Sequence, residues 1–367
     1  MTSAPPSLPV RRSLSASTRS RVAPFEVMDI LDRVAVLRAA GRDVVSLCAG
    51  EPSGGAPSAV SQAAAQLHAS GRALTYTSAL GIRELRAELA AHYRRWYGLD
   101  VDPARVAVTT GSSGGFVLAF LAAFEAGDRV ALARPGYPAY RNVLRALGCE
   151  VVEVDCGPDA RYQPTPDALA AAHAQAPLAG LVLASPANPT GTMVTRAELA
   201  AVSQWCAEHG VRLVSDEIYH GVTYPEPGAP DPRGVCAWEL DESAVVVSSF
   251  SKYWGMTGWR LGWMLLPEDL ARSVEALAGN VSLCPPAPAQ YAAVAAFTDE
   301  SYAECDAAVA EFARTRGLLL DNAGLLGWGE AAPADGAFYY YADLGPQRAR
   351  WRAAPSYAAA LLEQAGV

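Results

Sequence analysis

Seven short apolar runs, rich in β-branched residues, alternate with segments of helical periodicity between residues 104 and 266. In chain order they are RVAVTTG, DRVALARP, EVVEVD, LAGLVLASP, VRLVSDE, AVVVSSFS and RLGWMLLP. Uninterrupted apolar strands are covered on both faces, and the helical segments between them supply that cover. The pattern therefore predicts an α/β fold with a mostly parallel seven-stranded sheet between helices.

The amino-acid composition of the chain changes after residue 283, where CPPAPAQ precedes Ala-rich helical stretches. We predict a large domain over residues 48–283 and a smaller α+β domain built from 22–47 together with 284–367. Residues 1–21 are rich in Ser and Arg and predict a disordered or partner-contacting arm. A transit peptide or twin-arginine signal is the alternative, but the segment lacks the apolar stretch that an export signal requires.

Helix boundaries are clearest around the segment TRAELAAVSQWCAEHG. Thr195 can cap the free amides at its start, and Glu198, three residues later, completes a capping box. Gly210 is placed to end the helix, because glycine readily takes the left-handed conformation found there.

Composition excludes several functional classes. The chain has 367 residues, 51% of them hydrophobic, and a net charge of −9, whereas a nucleic-acid binder needs a basic face. No apolar run is long enough to cross a membrane. The chain has seven cysteines, an odd number that cannot all pair in disulfides, and none of them have C-x-x-C spacing. This pattern favours neither a disulfide framework nor a zinc site. We expect a soluble, cytoplasmic protein without a metal.

Polar residues lie at the carboxyl ends of several predicted strands. Ser112, Asn188, Asp216 and Ser249 each close a strand or follow one closely. Because ligands of open α/β sheets collect at these ends, the four positions predict one binding site.

The 29 Lys and Arg residues include a single lysine, Lys252. A primary amine loses its proton readily on burial and can attack a carbonyl carbon, whereas a guanidinium stays protonated. The isolated lysine is therefore a candidate nucleophile.

The turn Gly111-Ser112-Ser113-Gly114-Gly115 joins a predicted strand to an apolar helix. Backbone amides at such a helix start can bind a phosphate. The same residues match G-x-S-x-G, the nucleophile elbow of α/β-hydrolases, with Ser113 as the rival nucleophile. That alternative needs a late histidine, and the last one in the chain is His220.

Three motifs together resemble one family. They are Ser249-x-x-Lys252 followed by Arg260 and Gly262, Asn188-Pro189-x-Gly191, and Asp216-x-x-Tyr219. In order and spacing they are similar to the fold-type I, class I/II aminotransferases that depend on pyridoxal 5′-phosphate (PLP). The resemblance runs from about residue 20 to the end of the chain.

The resemblance implies roles for the matching residues. Lys252 would form the aldimine with PLP and then move a proton between the substrate α-carbon and the cofactor. Asp216 would keep the pyridine nitrogen protonated, so that the ring accepts electrons. Asn188 and Tyr219 would hydrogen-bond the phenolic oxygen, and Tyr137 would stack on the ring.

It also implies how the phosphate and the substrate are held. The amides of Ser112 and Ser113, the Ser249 hydroxyl and the Arg260 guanidinium would surround the phosphate. Tyr76 would reach the phosphate of a second subunit, which makes the active protein a homodimer. The Gly50 amide would bind the substrate carboxylate.

The chain departs from the family at two places. Ser53, Gly54 and Gly55 replace the usual acidic-aromatic pair after Glu-Pro. A C-terminal helix closed by Gly366 is followed only by Val367, where the family continues to an arginine that binds the substrate α-carboxylate, so the C-terminal end reads as truncated. Nothing places the later arginines, at positions 348, 350 and 352, at that site; they indicate a solvated basic turn.

The resulting functional prediction is a PLP-dependent aminotransferase that converts an amino acid and a 2-oxo acid by a ping-pong mechanism. One alternative is a truncated or non-enzymatic PLP-binding protein. Another is a related PLP-dependent carbon–sulfur lyase or cyclopropane-forming synthase, which shares the same cofactor residues.

Overall fold

The computed structural model describes residues 15–24, 26–48, 50–348 and 356–367. Most of the predicted arm, together with Arg350 and Arg352, lies outside these residues. Within the arm, Thr18–Ser20 form a short 3-10 turn whose residues are exposed. Whether the arm is disordered or contacts a partner therefore stays a prediction.

All seven predicted strands are present and form one sheet in the order β1-β7-β6-β5-β4-β2-β3. The strands are β1 Val106–Thr109, β2 Arg129–Arg134, β3 Glu150–Asp155, β4 Gly180–Ala184, β5 Arg212–Asp216, β6 Val245–Ser249 and β7 Gly262–Leu265. β7 runs antiparallel to both of its neighbours, and all other pairs are parallel. The predicted α/β class and mostly parallel sheet are confirmed.

Twelve α-helices occur in the described part of the chain. They are α1 Glu26–Ala39, α2 Ser58–Ala69, α3 Arg83–Tyr97, α4 Gly111–Ala123, α5 Pro138–Leu147, α6 Pro166–Gln175, α7 Arg196–His209, α8 Glu268–Val281, α9 Ala287–Ala293, α10 Asp299–Asn322, α11 Gly345–Arg348 and α12 Tyr357–Ala365. Short 3-10 turns lie at Pro103–Arg105, Pro158–Ala160, Ala237–Glu239, Thr257–Trp259, Val294–Phe297 and Ala323–Leu326. None of the helices over the described residues is long and apolar enough to span a membrane.

Alternating residues of the central strands enter two different apolar clusters. Leu181 and Leu183 of β4 pack with residues of α3, α6 and α7, whereas Val182 between them packs with residues of α4 and α5. Successive side chains of a strand point to opposite faces, so helices cover both sides of the sheet. This cover explains why the strands read as uninterrupted apolar runs.

The boundaries of α7 follow the predicted caps. Thr195 Oγ1 accepts a hydrogen bond from the amide of Glu198 over 3.2 Å, and Glu198 Oε2 accepts one from the Thr195 amide over 2.7 Å. Gly210 ends the helix with φ +65°. Gly366 ends α12 in the same way, with φ +71°, so both predicted helix ends are confirmed.

The first and last helices of the described chain pack together. Val34, Leu37 and Leu362 form a small apolar cluster, and the Val45 amide donates to Gly366 O over 2.9 Å. Residues of α9, by contrast, belong to the main core. The division into a large domain at 48–283 and a small domain from the two ends stays a prediction.

Candidate active site

A cavity of about 670 Å³ opens at the carboxyl edge of the parallel strands. Nine of the eleven residues predicted for the site line it: Gly50, Ser112, Ser113, Tyr137, Asn188, Asp216, Tyr219, Lys252 and Arg260. They come from segments far apart in sequence, which meet because the ends of neighbouring parallel strands lie side by side.

Lys252 follows β6 and points its amine into this cavity. The Nζ atom donates a hydrogen bond to the carbonyl oxygen of Gly50 over 2.7 Å and lies 5.5 Å from the centroid of the Tyr219 ring. Burial lowers the pKa of Lys252 below its ordinary value, opposed by the nearby carboxylates of Glu51 and Asp216. A lowered pKa makes the neutral, nucleophilic amine more accessible.

Asp216 closes β5 and is only 3% exposed. Its Oδ2 accepts a hydrogen bond from the hydroxyl of Tyr140, and its Oδ1 accepts one from the Ile218 amide over 3.1 Å. Burial raises the pKa of Asp216 to about 6, although these hydrogen bonds and the Lys252 charge oppose the rise. A cationic ring nitrogen in the cavity would relieve this burial cost.

The amino end of α4 forms the positively polarised side of the cavity. Gly111, Ser112 and Ser113 are its first residues, so their amides have no partners within the helix. A Cβ at Gly111 would lie 2.5 Å from Arg260 Nη2, and a Cβ at Gly262 would lie 2.7 Å from the Ser112 amide nitrogen. Glycine is therefore required at both positions to bring guanidinium, strand and helix start together.

Arg260 completes this side of the cavity. Its Nη1 donates to the carbonyl oxygen of Thr257 over 2.8 Å, and no carboxylate of the described residues lies within 4.0 Å of its guanidinium. A helix start and a guanidinium without a paired acid attract an anion.

Tyr219 also lines the cavity and is 2% exposed. Its hydroxyl lies 2.5 Å from that of Tyr339, and the two rings meet edge to face with centroids 5.7 Å apart. Tyr339 also covers Gly50, since a Cβ at Gly50 would lie 2.5 Å from the Tyr339 hydroxyl oxygen.

Two predicted residues do not line the cavity. Ser249 is buried, and its hydroxyl hydrogen-bonds to Ser251 Oγ over 2.9 Å and to Leu261 O over 3.3 Å; Ser251 lines the cavity instead. Tyr76 is 79% exposed. A direct phosphate contact of Ser249 and the reach of Tyr76 into a second subunit stay predictions.

The nucleophile-elbow alternative lacks its second residue. Ser113 lies in the first turn of α4, but no histidine of the described residues lines the cavity. His220 is buried elsewhere, where its Nδ1 pairs with the hydroxyl of Tyr97 over 2.7 Å.

The sequence-based prediction missed Tyr140 and Tyr339. Tyr137 is the N-cap of α5 and Tyr140 lies in its first turn, where the two rings meet edge to face with centroids 5.2 Å apart. The short spacing from Tyr137 could have revealed Tyr140. No comparable signal marks Tyr339, which stands in a run of three tyrosines, 120 residues after its partner Tyr219.

The described residues fit PLP. The cavity offers an amine of lowered pKa at Lys252, a buried carboxylate at Asp216 and an anion site at α4 and Arg260. These three groups match the carbonyl carbon, the pyridine nitrogen and the phosphate of that cofactor.

Comparisons with known proteins agree with this geometry. Residues 42–367 match the family model described as aminotransferase class I and II. The chain is 55% identical to the valine–pyruvate aminotransferase of Mycobacterium tuberculosis over 327 residues, 89% of this chain and 82% of that protein.

Solved structures show the same similarity. An aminotransferase from Mycobacterium tuberculosis superposes with a TM-score of 0.90 at 51% identity, covering 97% of this chain and 89% of that one. The aspartate aminotransferase of Thermus thermophilus with maleate gives a TM-score of 0.88 at 32% identity, covering 97% and 91%.

Proposed function

Because the chain belongs to the class I and II aminotransferase family, we propose that it transfers the amino group of valine, or of a similar small apolar amino acid, to pyruvate. Membership of this family means that the chain depends on PLP and transfers an amino group from an amino acid to a 2-oxo acid. One observation carries the assignment of residues: the only lysine shares a cavity with Asp216 and Arg260.

PLP, when bound, supplies a ring that withdraws electrons from the substrate α-carbon. We assign Lys252 to hold the carbonyl carbon of the cofactor and to take and return the proton at the substrate α-carbon. Asp216 keeps a proton on the ring nitrogen, since the carboxylate raises the proton affinity of a base beside it.

The remaining cavity residues hold and orient the cofactor. The α4 amides at Ser112 and Ser113 and the Arg260 guanidinium bind the phosphate, with Ser249 and its neighbour Ser251 supporting that end. Asn188 and Tyr219 donate hydrogen bonds to the phenolic oxygen, and Tyr137 stacks on the ring. Gly50 binds the substrate carboxylate. These four residues line the cavity and can therefore reach a cofactor and substrate bound there.

The proposed amino donor has two supports. The relative at 55% identity is named for valine and pyruvate. The cavity includes Ala23, Pro24 and Val27 from the segment before and within α1, which offer apolar surface to a substrate side chain. An aliphatic side chain gains more from such a wall than a charged one.

We further propose that the protein acts as a cytoplasmic homodimer, with Tyr76 reaching the partner's cofactor phosphate. Leu74, Tyr76, Val281 and Leu283 are exposed apolar side chains. The Thr77 amide donates to Cys284 Sγ over 3.4 Å, so these two segments adjoin and form one patch that a second subunit would cover. The seven free thiols suit a reducing compartment.

The test is amino transfer by the purified chain reconstituted with PLP. Valine and pyruvate are supplied, and alanine is measured alongside the branched 2-oxo acid, with aspartate as a charged comparison donor and K252A as the inactive control. Faster turnover of aspartate than of valine would reject the proposed donor. No transfer from any amino acid of a full panel would favour the catalytically impaired alternative.

A further inference from the structure

Tyr339 reaches the cavity on a segment that is fixed to two loops of the site. The Gly336 amide donates to Gly191 O over 2.9 Å, and the Ala337 amide donates to Val222 O over 2.8 Å. Gly191 belongs to the loop of Asn188, and Val222 follows Tyr219 closely. The backbone before Tyr339 therefore has a fixed position relative to both proposed contacts of the phenolic oxygen.

The Tyr339 side chain makes two contacts in this position. Its hydroxyl forms the 2.5 Å hydrogen bond with Tyr219, and the edge of its ring and its hydroxyl occupy the space beside Gly50. Replacement by a smaller residue would remove both contacts, whereas replacement by phenylalanine would remove the hydrogen bond alone.

The two hydroxyl groups share one hydrogen bond but have two protons. Burial raises the pKa of Tyr339 to about 12 and that of Tyr219 well above its ordinary value, so both keep their protons at neutral pH. If Tyr219 donates to Tyr339, it has no proton left for another acceptor. If Tyr339 donates, the proton of Tyr219 remains available on the cavity side.

The groups around the pair favour the second arrangement once PLP is bound. The titratable groups that act on the two hydroxyls or face the Tyr219 ring are Asp216, Tyr137, Tyr140 and Lys252. An ionised phenolic oxygen of the cofactor only accepts hydrogen bonds, so it selects the orientation in which Tyr219 donates to it.

We propose that Tyr339 is a positioning residue that donates its proton to the Tyr219 oxygen and thereby directs the Tyr219 proton to the phenolic oxygen of bound PLP. This inference rests on the proposed role of Tyr219. Tyr339 itself acts through Tyr219 and not on the cofactor.

The experiment is a pH titration of the absorbance of the bound cofactor, together with the dissociation constant of PLP, for wild type, Y219F, Y339F and the double variant. Loss of a donor leaves the phenolic charge less stabilised, so the cofactor keeps its proton to higher pH. We expect the midpoint to rise in Y219F and to rise by about 0.5 to 1 pH unit in Y339F. The double variant should match Y219F alone.

Y340F is the matched control, because Tyr340 stands next in the chain, packs near Trp328 at a ring distance of 5.8 Å and does not line the cavity. It should titrate like wild type. A shift in Y219F without one in Y339F would overturn the inference, as would equal shifts that add in the double variant. No shift in Y219F would reject the proposed role of Tyr219 and the inference with it.

If Y339F does not fold or bind PLP, 3-fluorotyrosine at position 339 provides the second test. Fluorine strengthens the phenol as a donor while keeping ring and hydroxyl, so the inference predicts a midpoint below that of wild type. An unchanged or raised midpoint would contradict it.

Discussion

The amine of Lys252 donates a 2.7 Å hydrogen bond to the carbonyl oxygen of Gly50, a residue 202 positions earlier in the chain. No carboxylate of the described residues forms an ion pair with this amine. Burial, together with the positive charge of Arg260, lowers the pKa of Lys252 below its ordinary value, although the carboxylates of Glu51 and Asp216 oppose the change. The lowered pKa makes the neutral form of the amine, which acts as a base or nucleophile, easier to reach.

Replacement of Lys252 by arginine should strongly slow transfer while leaving the fold intact. The guanidinium retains the positive charge but neither reacts with a carbonyl nor gives up its proton. We expect the turnover number to fall by about 10²- to 10⁴-fold, measured with valine and pyruvate. The control is R272K on the exposed surface of α8, which should retain wild-type turnover. Comparable turnover in K252R would contradict the role of the lysine.

Loss of the Tyr140 hydroxyl should weaken catalysis through Asp216. Y140F removes one of two hydrogen bonds to a buried carboxylate, and bonds to charged groups are worth about 1.5–3 kcal/mol. We expect kcat to fall about 10- to 100-fold with weaker PLP binding. Y291F serves as the control, because Tyr291 packs under Arg72 away from the cavity. A kcat of Y140F equal to that of Y291F would count against this role.

The sheet could be predicted from the sequence because burial on both faces leaves an unmistakable pattern of apolar runs. Asp216 and Asn188 could be placed at the cavity because parallel strands align their carboxyl ends. The contact between Tyr219 and Tyr339 could not, since it depends on how a segment 120 residues away folds back. Likewise, the strand-end position of Ser249 did not reveal that its hydroxyl hydrogen-bonds to Ser251 and Leu261.

Glu217 should make the protein less stable as pH rises. This carboxyl is 2% exposed, its Oε2 has no hydrogen-bond partner among the described residues, and burial raises its pKa to about 8. Between pH 7 and 8 the unfolded chain has lost this proton while the native chain retains it. The free energy of unfolding should therefore fall by up to about 1.4 kcal/mol per pH unit.

The glutamine side chain in E217Q is neutral at both pH values, so the free energy of unfolding should fall less with rising pH in this variant than in wild type. Urea unfolding of the apoprotein at pH 7.0 and 8.0 measures the difference, and E208Q at an exposed position of α7 is the control. An identical pH dependence in wild type and E217Q would show that Glu217 is already ionised in the native protein.

Tyr76 should act in the site of the partner subunit, which a mixing experiment can reveal. In a hybrid of K252A and Y76A subunits, one site carries both substitutions and the other carries neither, provided that Tyr76 crosses the interface. Two nearly inactive variants mixed in equal amounts and allowed to exchange should recover about a quarter of wild-type activity. If Tyr76 serves its own subunit, mixing recovers none.

Borohydride reduction of the PLP-loaded protein reports directly whether Lys252 binds the cofactor. Intact mass and peptide mapping then locate the reduced product. We predict one pyridoxyl phosphate per chain on Lys252, including in R272K, where a second lysine is available on the surface. Protein that is folded and saturated with PLP but carries no adduct at Lys252 would rule out this lysine as the residue that binds the cofactor.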